Sequence, residues 1–115
     1  HPAYKGGEFE FTPRSVAGAK NPPLKDQKCH GVDLRGLDDE QIIASGFNLE
    51  YVIDAYRNLD MGEKFFTRMF LLLTGVDYIK QMIIEGKSAD EIRKVWQKDV
   101  EEFKLLRRGY LLYEE

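Results

Sequence analysis

The stretch GKSADEIRKVWQKDVEEFKLLRRG, residues 86–109, decides much of the fold of this sequence. Ser88 and Glu91 have the spacing of a capping box, in which each side chain accepts a hydrogen bond from the other residue's backbone N–H. Apolar residues then recur at helical spacing, and Gly109 marks the end of the pattern. We therefore predict a helix over 89–108, about 30 Å long at 1.5 Å per residue. Its apolar stripe consists of Ile92, Val95, Trp96, Val100, Phe103 and Leu106.

Three further helices are predicted before this one. Asn48 is a good N-cap for a helix that ends before Gly62. The segment 63–73 is apolar nearly all round, which indicates a helix that is central or docks against a partner. A helix over 76–85 follows, and Gly86 is placed to close it in the left-handed conformation.

The first part of the chain has a different composition, since it holds all four prolines and six of the ten glycines. Phe9 and Phe11 alternate with polar residues, which predicts a strand over 8–12. Residues 28–35 form a second strand candidate, and 110–113 a third at the edge of the sheet. One face of the second candidate is small and polar, which is unusual against a core; it holds Cys29, Gly31, Asp33 and Arg35.

These elements predict an α+β fold. We expect a small, mostly antiparallel sheet covered by three to four helices, in a single domain over residues 1–115. Within it, residues 1–47 form a strand-and-loop part and residues 48–109 a helical part. The chain starts on His1 without an initiator methionine, so we expect it to be a piece of a longer protein.

Composition excludes several classes of function. The 115 residues carry a net charge of −3, which gives no electrostatic footprint for nucleic acid. A single cysteine, Cys29, excludes an internal disulfide and a cysteine-based zinc site. The longest apolar run, at 69–73, is far shorter than the roughly 20 residues of a membrane span. We expect no metal and no cofactor.

Asp33 and Arg35 are the first candidates for binding a ligand. Two residues apart on a strand, their side chains leave from the same face. An acid and a guanidinium placed in this way could hold a polar ligand such as a sugar. The alternative is a salt-bridged, solvated strand face, which adds little stability.

Arg14 and Asp38 are the other candidates. Arg14 follows the first strand, and its planar fork suits recognition of a carboxylate or phosphate, although an exposed structural arginine is the alternative. Asp38 begins a run of three acids. A glycosidase needs two carboxylates about 5 to 10 Å apart, which adjacent loop residues seldom provide. We therefore interpret the run as the cap or first turn of a helix at 40–44.

Three further features have weaker interpretations. Cys29 and His30 are adjacent, but neighbours on a strand point to opposite faces, so they do not form a catalytic dyad. Trp96 lies on the helical stripe and is interpreted as core. Tyr110 and Tyr113 stay open between stacking on a sugar ring and ordinary packing.

Several short segments between about Phe9 and Tyr113 carry a resemblance when they are taken in chain order. They are FEFTP at 9–13, GAKNP at 18–22, CHGVDL at 29–34, FNLEYVIDAY at 47–56, KFF at 64–66, GKSADEI at 86–92, WQ at 96–97, Phe103, and RRGYLLY at 107–113. No single motif is specific. Taken in order, they resemble the C-terminal domain of the NamZ-type exo-β-N-acetylmuramidases.

The resemblance implies a two-domain protein of the bacterial envelope. In that family a Rossmann-like N-terminal domain carries the catalytic glutamate, and the C-terminal domain closes over one side of the cleft. The enzymes remove terminal N-acetylmuramic acid from peptidoglycan fragments during cell-wall turnover or salvage. We accordingly expect a periplasmic or secreted protein, no catalytic residue in this chain, and no activity for this chain alone.

The resemblance also bears on the candidate residues. One branch of the family reads Gly-Val-x-x-His-Val-Thr-Asp; here Arg35 stands at the histidine, Leu37 at the threonine and Asp38 at the aspartate. If that histidine touches substrate, its role passes to Arg35 or is lost. An arginine at the cleft rim could select muramic acid over N-acetylglucosamine through the lactyl carboxylate. Arg14 and Arg35 are the candidates for this role, and Asp33 and Asp38 complete the set of substrate-binding candidates.

A function of another class is the alternative. The chain would then be a non-catalytic module that binds a protein partner or a glycan through the apolar 63–73 region. A Rossmann-like domain encoded immediately upstream would favour the hydrolase, and an unrelated domain there would favour the module.

Overall fold

The computed structural model describes residues 1–113. Within them, two strands and five α-helices confirm the α+β class, with one helix more than the upper number predicted. The strands are β1, Phe9–Phe11, and β2, Cys29–Gly31. The helices are α1, Asp39–Ser45; α2, Glu50–Leu59; α3, Arg68–Thr74; α4, Tyr78–Ile84; and α5, Ala89–Arg107.

The chain divides into two compact units. The first, His1–Thr67, contains both strands, α1 and α2, and the second begins at Arg68 and contains α3 to α5. Each unit has a small apolar core of its own residues. The buried residues are Tyr4, Cys29, Leu49 and Ile53 in the first unit, and Ile79, Ile83, Ala89 and Ile92 in the second.

The two strands form an antiparallel ribbon in which Phe9 pairs with Gly31 and Phe11 with Cys29. Cys29 has no exposed surface. The small face of this strand therefore does contact the core, because a free cysteine packs as a small apolar side chain. The ladder stops at Gly31, short of the predicted residue 35. Phe9 with Gly31 is the last pair of the ladder; Gly7, before β1, still lies close to the backbone of Gly31 but forms no ladder pair with it.

The predicted third strand is wrong. Residues Arg108–Tyr110 continue α5 as a 3-10 turn, and the sheet within residues 1–113 has two strands. Gly109 does not adopt a positive φ, so it does not end the helix in the left-handed conformation. The helical path tightens instead, and residues 111–113 do not pair with either strand.

The predicted helix over 63–73 is also wrong, because the chain breaks there. A 3-10 turn occupies Gly62–Phe65, Phe66 is extended, and α3 begins at Arg68. The break lets two consecutive rings pack on Tyr56 of α2: its ring centroid lies 5.6 Å from that of Phe65 and 5.2 Å from that of Phe66. Aromatic packing of this kind outweighs continuation of a short helix.

Local caps define the other helices as predicted. Ser88 Oγ accepts from the N–H of Glu91 at 3.2 Å, and Glu91 Oε2 accepts from the N–H of Ser88 at 2.9 Å, which confirms the capping box. Gly86 has a φ of +80° after α4, also as predicted. Asn48 Oδ1 accepts from the N–H of Glu50 at 2.8 Å, as an N-cap side chain does, although α2 begins at Glu50, one residue later than the spacing predicts.

Candidate functional site

The register of the ribbon separates the predicted site residues into two groups. Asp33 and Arg35 follow β2 beyond the end where Phe9 pairs with Gly31. Arg14 follows β1 beyond the opposite end of the ribbon. The two arginines therefore leave from opposite ends of the sheet, and the structure does not bring them together.

Asp33 and Arg35 form an ion pair outside the sheet rather than on a strand. Arg35 Nε donates to both carboxylate oxygens of Asp33, at 2.9 and 3.1 Å, and a terminal guanidinium nitrogen donates to Oδ2 at 2.6 Å. The backbone N–H of Arg35 donates to the same carboxylate at 3.0 Å. These bonds, with the guanidinium charge, lower the pKa of Asp33 to about 2 and raise that of Arg35.

A phenylalanine ring also orients the guanidinium of Arg35. Its Cζ lies 5.3 Å from the ring centroid of Phe9, a cation–π distance. Phe9 in turn stacks on Phe11, with centroids 6.0 Å apart. The side chain of Arg35 is nevertheless 78% exposed. Because a guanidinium carries five N–H donors, the groups that Asp33 does not engage can reach a ligand.

Arg14 lies in an exposed loop. The loop is closed at its base by the N–H of Asp26, which donates to the carbonyl of Pro13 at 2.9 Å. A tight turn follows, in which Val16 and Ala19 pair in an isolated bridge. Among residues 1–113, Arg14 has no ion-pair partner. Its charge is therefore not compensated by an ion pair within these residues.

Asp38 is the N-cap of α1. Its Oδ1 accepts from the N–H of Glu40 at 2.9 Å, and Asp39 and Glu40 form the acidic first turn of the helix. The run of three acids therefore begins a helix, as the sequence predicts. The structure does not pair Asp38 with Asp33 or Arg35.

An apolar groove in the first unit was not predicted. One hollow, of about 350 Å³, is walled by the N-terminal segment, by residues of both strands and by α2. A second, of about 410 Å³, lies beside α1, and Leu34 and Tyr51 line both hollows. Such volumes are in the range of small-ligand sites. The lining residues are His1, Tyr4, Phe11, His30, Gly31, Val32, Leu34, Tyr51, Ala55 and Leu59 in the first, and Leu34, Leu37, Gln41, Ile42, Ser45, Gly46, Asn48 and Tyr51 in the second.

A buried tyrosine fastens the N-terminal segment beside this groove. The hydroxyl of Tyr4 donates to Asp54 Oδ2, and Asn58 Nδ2 donates to Asp54 Oδ1 at 2.9 Å. The hydrogen bond to Asp54, with burial and the carboxylate charge, raises the pKa of Tyr4 to about 12. Gly6 passes so close that a Cβ there would lie 2.5 Å from the Tyr4 hydroxyl oxygen. The sequence gives no local signal for this contact, which joins segments 50 residues apart.

The other sequence candidates have ordinary environments. Cys29 is buried and His30 is half-buried, with its Nδ1 3.8 Å from Glu10 Oε1. Trp96 is half-buried, whereas Tyr110 and Tyr113 are largely exposed. Across the described residues 1–113, no cluster of His, Cys, Asp or Glu could hold a metal ion. No helix in that range is long and apolar enough to cross a membrane.

Comparison with known proteins decides the family. Residues 2–113 match the family model described as exo-beta-N-acetylmuramidase NamZ, C-terminal. The chain belongs to this family. The NamZ C-terminal match includes all four predicted site residues, but it assigns a role to none of them. No curated protein matches the chain.

A solved structure supports the same assignment. The crystal structure of a DUF1343 family protein from Bacteroides fragilis NCTC 9343 is 55% identical and aligns with the whole of this chain at a TM-score of 0.93. That protein is a member of the NamZ family. The present chain covers 33% of its solved chain. The NamZ C-terminal fold therefore occurs there as about a third of a larger polypeptide.

Proposed function

We propose that this chain is the C-terminal, cleft-forming domain of an exo-acting β-N-acetylmuramidase. The enzyme would release terminal N-acetylmuramic acid from peptidoglycan fragments, with its catalytic glutamate on a Rossmann-like N-terminal domain of the same polypeptide. The observation that carries the proposal is the match of residues 2–113 to the NamZ C-terminal family. The threefold greater length of the similar solved chain supports a further domain.

The carboxylates near the groove support a catalytic acid outside this chain. Asp33 is paired with Arg35, Asp38 caps α1, and Asp54 accepts from both Tyr4 and Asn58. Glycosidic cleavage needs two carboxyl groups that face one bond across a few ångströms. Each of these three carboxylates instead has a structural partner of its own.

We assign recognition of the lactyl carboxylate to Arg35 rather than Arg14. Asp33 and the Phe9 ring already hold the Arg35 side chain in place, so binding would cost it less conformational entropy. Leu34, between the two charged residues in the chain, lines both hollows of the groove. An oriented guanidinium beside an apolar groove suits a sugar that carries a carboxylate together with lactyl and acetyl methyl groups.

The specificity of the full-length enzyme tests this assignment. The preference for terminal N-acetylmuramic acid over N-acetylglucosamine would be measured as a ratio of kcat/KM for wild type, Arg35→Ala, Arg35→Lys and Arg14→Ala. A lost hydrogen bond to a charged group contributes about 1.5–3 kcal/mol, so Arg35→Ala should reduce the ratio roughly 10- to 100-fold. Lysine should recover only part of this effect, because it cannot bind bidentately.

Arg14→Ala serves as the matched control, since it removes an exposed guanidinium at the other end of the ribbon. A reduced ratio in Arg14→Ala alone would transfer the role to Arg14. An unchanged ratio in all three variants would remove both arginines from the recognition of substrate.

The same proposal places the full-length protein in the periplasm or outside the cell, because its substrate comes from the cell wall. Fractionation of the native host tests this location. Recovery of the protein only with cytoplasmic markers would contradict it.

A non-catalytic interaction module is the second candidate, and one observation favours it. Met69, Leu72 and Leu73 of α3 are well exposed, although the predicted 63–73 helix does not form as one element. Full-length protein that binds muramyl fragments without cleaving them would favour the module.

A further inference from the structure

The apolar stripe of α5 is covered at one end and open at the other. Ile92, in the first turn, is completely buried, whereas Phe103 and Leu106 are 59% and 68% exposed. At 3.6 residues per turn, Phe103 lies about three turns beyond Ile92 on nearly the same side of the helix. The apolar pattern that predicts a buried face therefore continues along the whole of α5, but in the second half of the helix these apolar side chains are exposed.

Val100 lies on the same side of α5 and is 39% exposed. We call these three side chains the terminal apolar face: Val100, Phe103 and Leu106. Apolar side chains exposed in a contiguous group mark interaction sites on soluble proteins.

The opposite side of α5 is mostly polar, and its polar side chains are hydrogen-bonded to one another along the helix. Glu101 accepts from Gln97 at 2.6 Å and from Lys104 at 3.1 Å. By helical geometry, Glu101 lies roughly opposite Phe103. Leu105, on the same side as Glu101, is 64% exposed, so the end of α5 is exposed on both sides, and the terminal apolar face is the side on which apolar residues recur.

We propose that the terminal apolar face docks on the N-terminal part of the same polypeptide, a surface assignment that rests on the proposed function. This chain covers only a third of the similar solved chain. By analogy, the rest of the full-length polypeptide would be a large, covalently attached partner for this face. A covalently attached partner binds at high effective concentration, so an interface of modest area suffices. The N-terminal part must present an apolar patch that can accommodate the ring of Phe103.

Site-specific cross-linking in the full-length protein tests the assignment. Phe103 would be replaced by p-benzoylphenylalanine, which keeps the aromatic ring, and the matched control carries the same residue in place of Glu101. After illumination, cross-linked peptides would be identified by mass spectrometry. We expect position 103 to cross-link to peptides that precede this chain in the polypeptide, and we expect these products to be lost for position 101. The same replacement of Leu106 should give the same cross-linked peptides, which protects the test if the first variant folds poorly.

Three results would overturn the docking surface. These are cross-links from position 103 to residues 1–67, cross-links to a second molecule that double the mass on a denaturing gel, and equal yields at positions 101 and 103. Release of N-acetylmuramic acid, measured on the same preparations, separates the two proposals. An active protein with one of these three results loses the docking surface alone. An inactive protein with the expected cross-links keeps the docking surface and loses the proposed function.

Discussion

Replacement of Tyr4 by phenylalanine tests how the N-terminal segment is fastened to α2. The Tyr4 hydroxyl donates to Asp54, whose other oxygen accepts from Asn58. Phenylalanine keeps the buried ring and removes only this donor. A hydrogen bond to a charged group contributes about 1.5–3 kcal/mol. Because Asp54 is half-buried and keeps Asn58, we expect the lower end, a loss of about 1.5 kcal/mol in the free energy of unfolding.

The same contact makes the loss depend on pH. The hydrogen bond to Asp54 is the main reason that the pKa of Tyr4 rises from 10.0 to about 12, and burial adds to it. Because the folded-state pKa lies above the unfolded one, this stabilisation is complete below about pH 10 and is lost as pH rises through about 12. At pH 11 the tyrosine is mostly ionised in the unfolded state only, which reduces the advantage of wild type by about 1.4 kcal/mol.

Urea unfolding followed by circular dichroism at pH 8 and pH 11 measures both effects. Wild type should exceed Tyr4→Phe by about 1.5 kcal/mol at pH 8 and by almost nothing at pH 11. Tyr110→Phe is the matched control, because Tyr110 is largely exposed, and it should match wild type at both pH values. Equal stability of wild type and Tyr4→Phe at pH 8, or a difference that persists unchanged at pH 11, would refute the reasoning.

Two further substitutions test the close approach of two backbone segments at Gly7 and the capping box of α5. In Gly7→Ala the new Cβ would lie 2.1 Å from the carbonyl oxygen of Gly31, and overpacking of this kind costs about 1–3 kcal/mol. Thermal melts should show this loss in Gly7→Ala and not in Gly18→Ala, where nothing lies within 4 Å; matching melts for the two variants would contradict it. Ser88→Ala removes the hydroxyl of the capping box and should reduce the free energy of unfolding by about 1 kcal/mol. An unchanged urea midpoint would show that the box contributes nothing.

The helices that caps define were the most predictable elements. The predicted bounds of α5 agree with Ala89–Arg107 to within one residue, because Ser88 and Glu91 satisfy each other locally. The break at Phe66 was not predictable in this way. The ring of Phe66 packs on Tyr56, which lies on another helix, so no local pattern indicates the contact. Likewise β2 is shorter than its alternating pattern predicts, because its last residue, Gly31, pairs with Phe9, the first residue of β1.

Only those features of the candidate site that depend on contacts between residues close in sequence were predictable. Asp33 and Arg35 were expected to share a face, and they form an ion pair, although it lies outside the sheet. The separation of Arg14 from Arg35 follows from the register, which no local pattern gives. The groove is formed by segments distant in the chain, and for that reason Tyr51 carried no signal in the sequence.

The most direct test of the central claim compares this chain with its full-length parent in one assay. Both would be incubated with peptidoglycan fragments that end in N-acetylmuramic acid, and the released sugar would be measured. We predict release by the full-length protein and none by residues 1–115 alone. Release by the 115-residue chain alone would contradict the account, because it would place the catalytic acid within this domain.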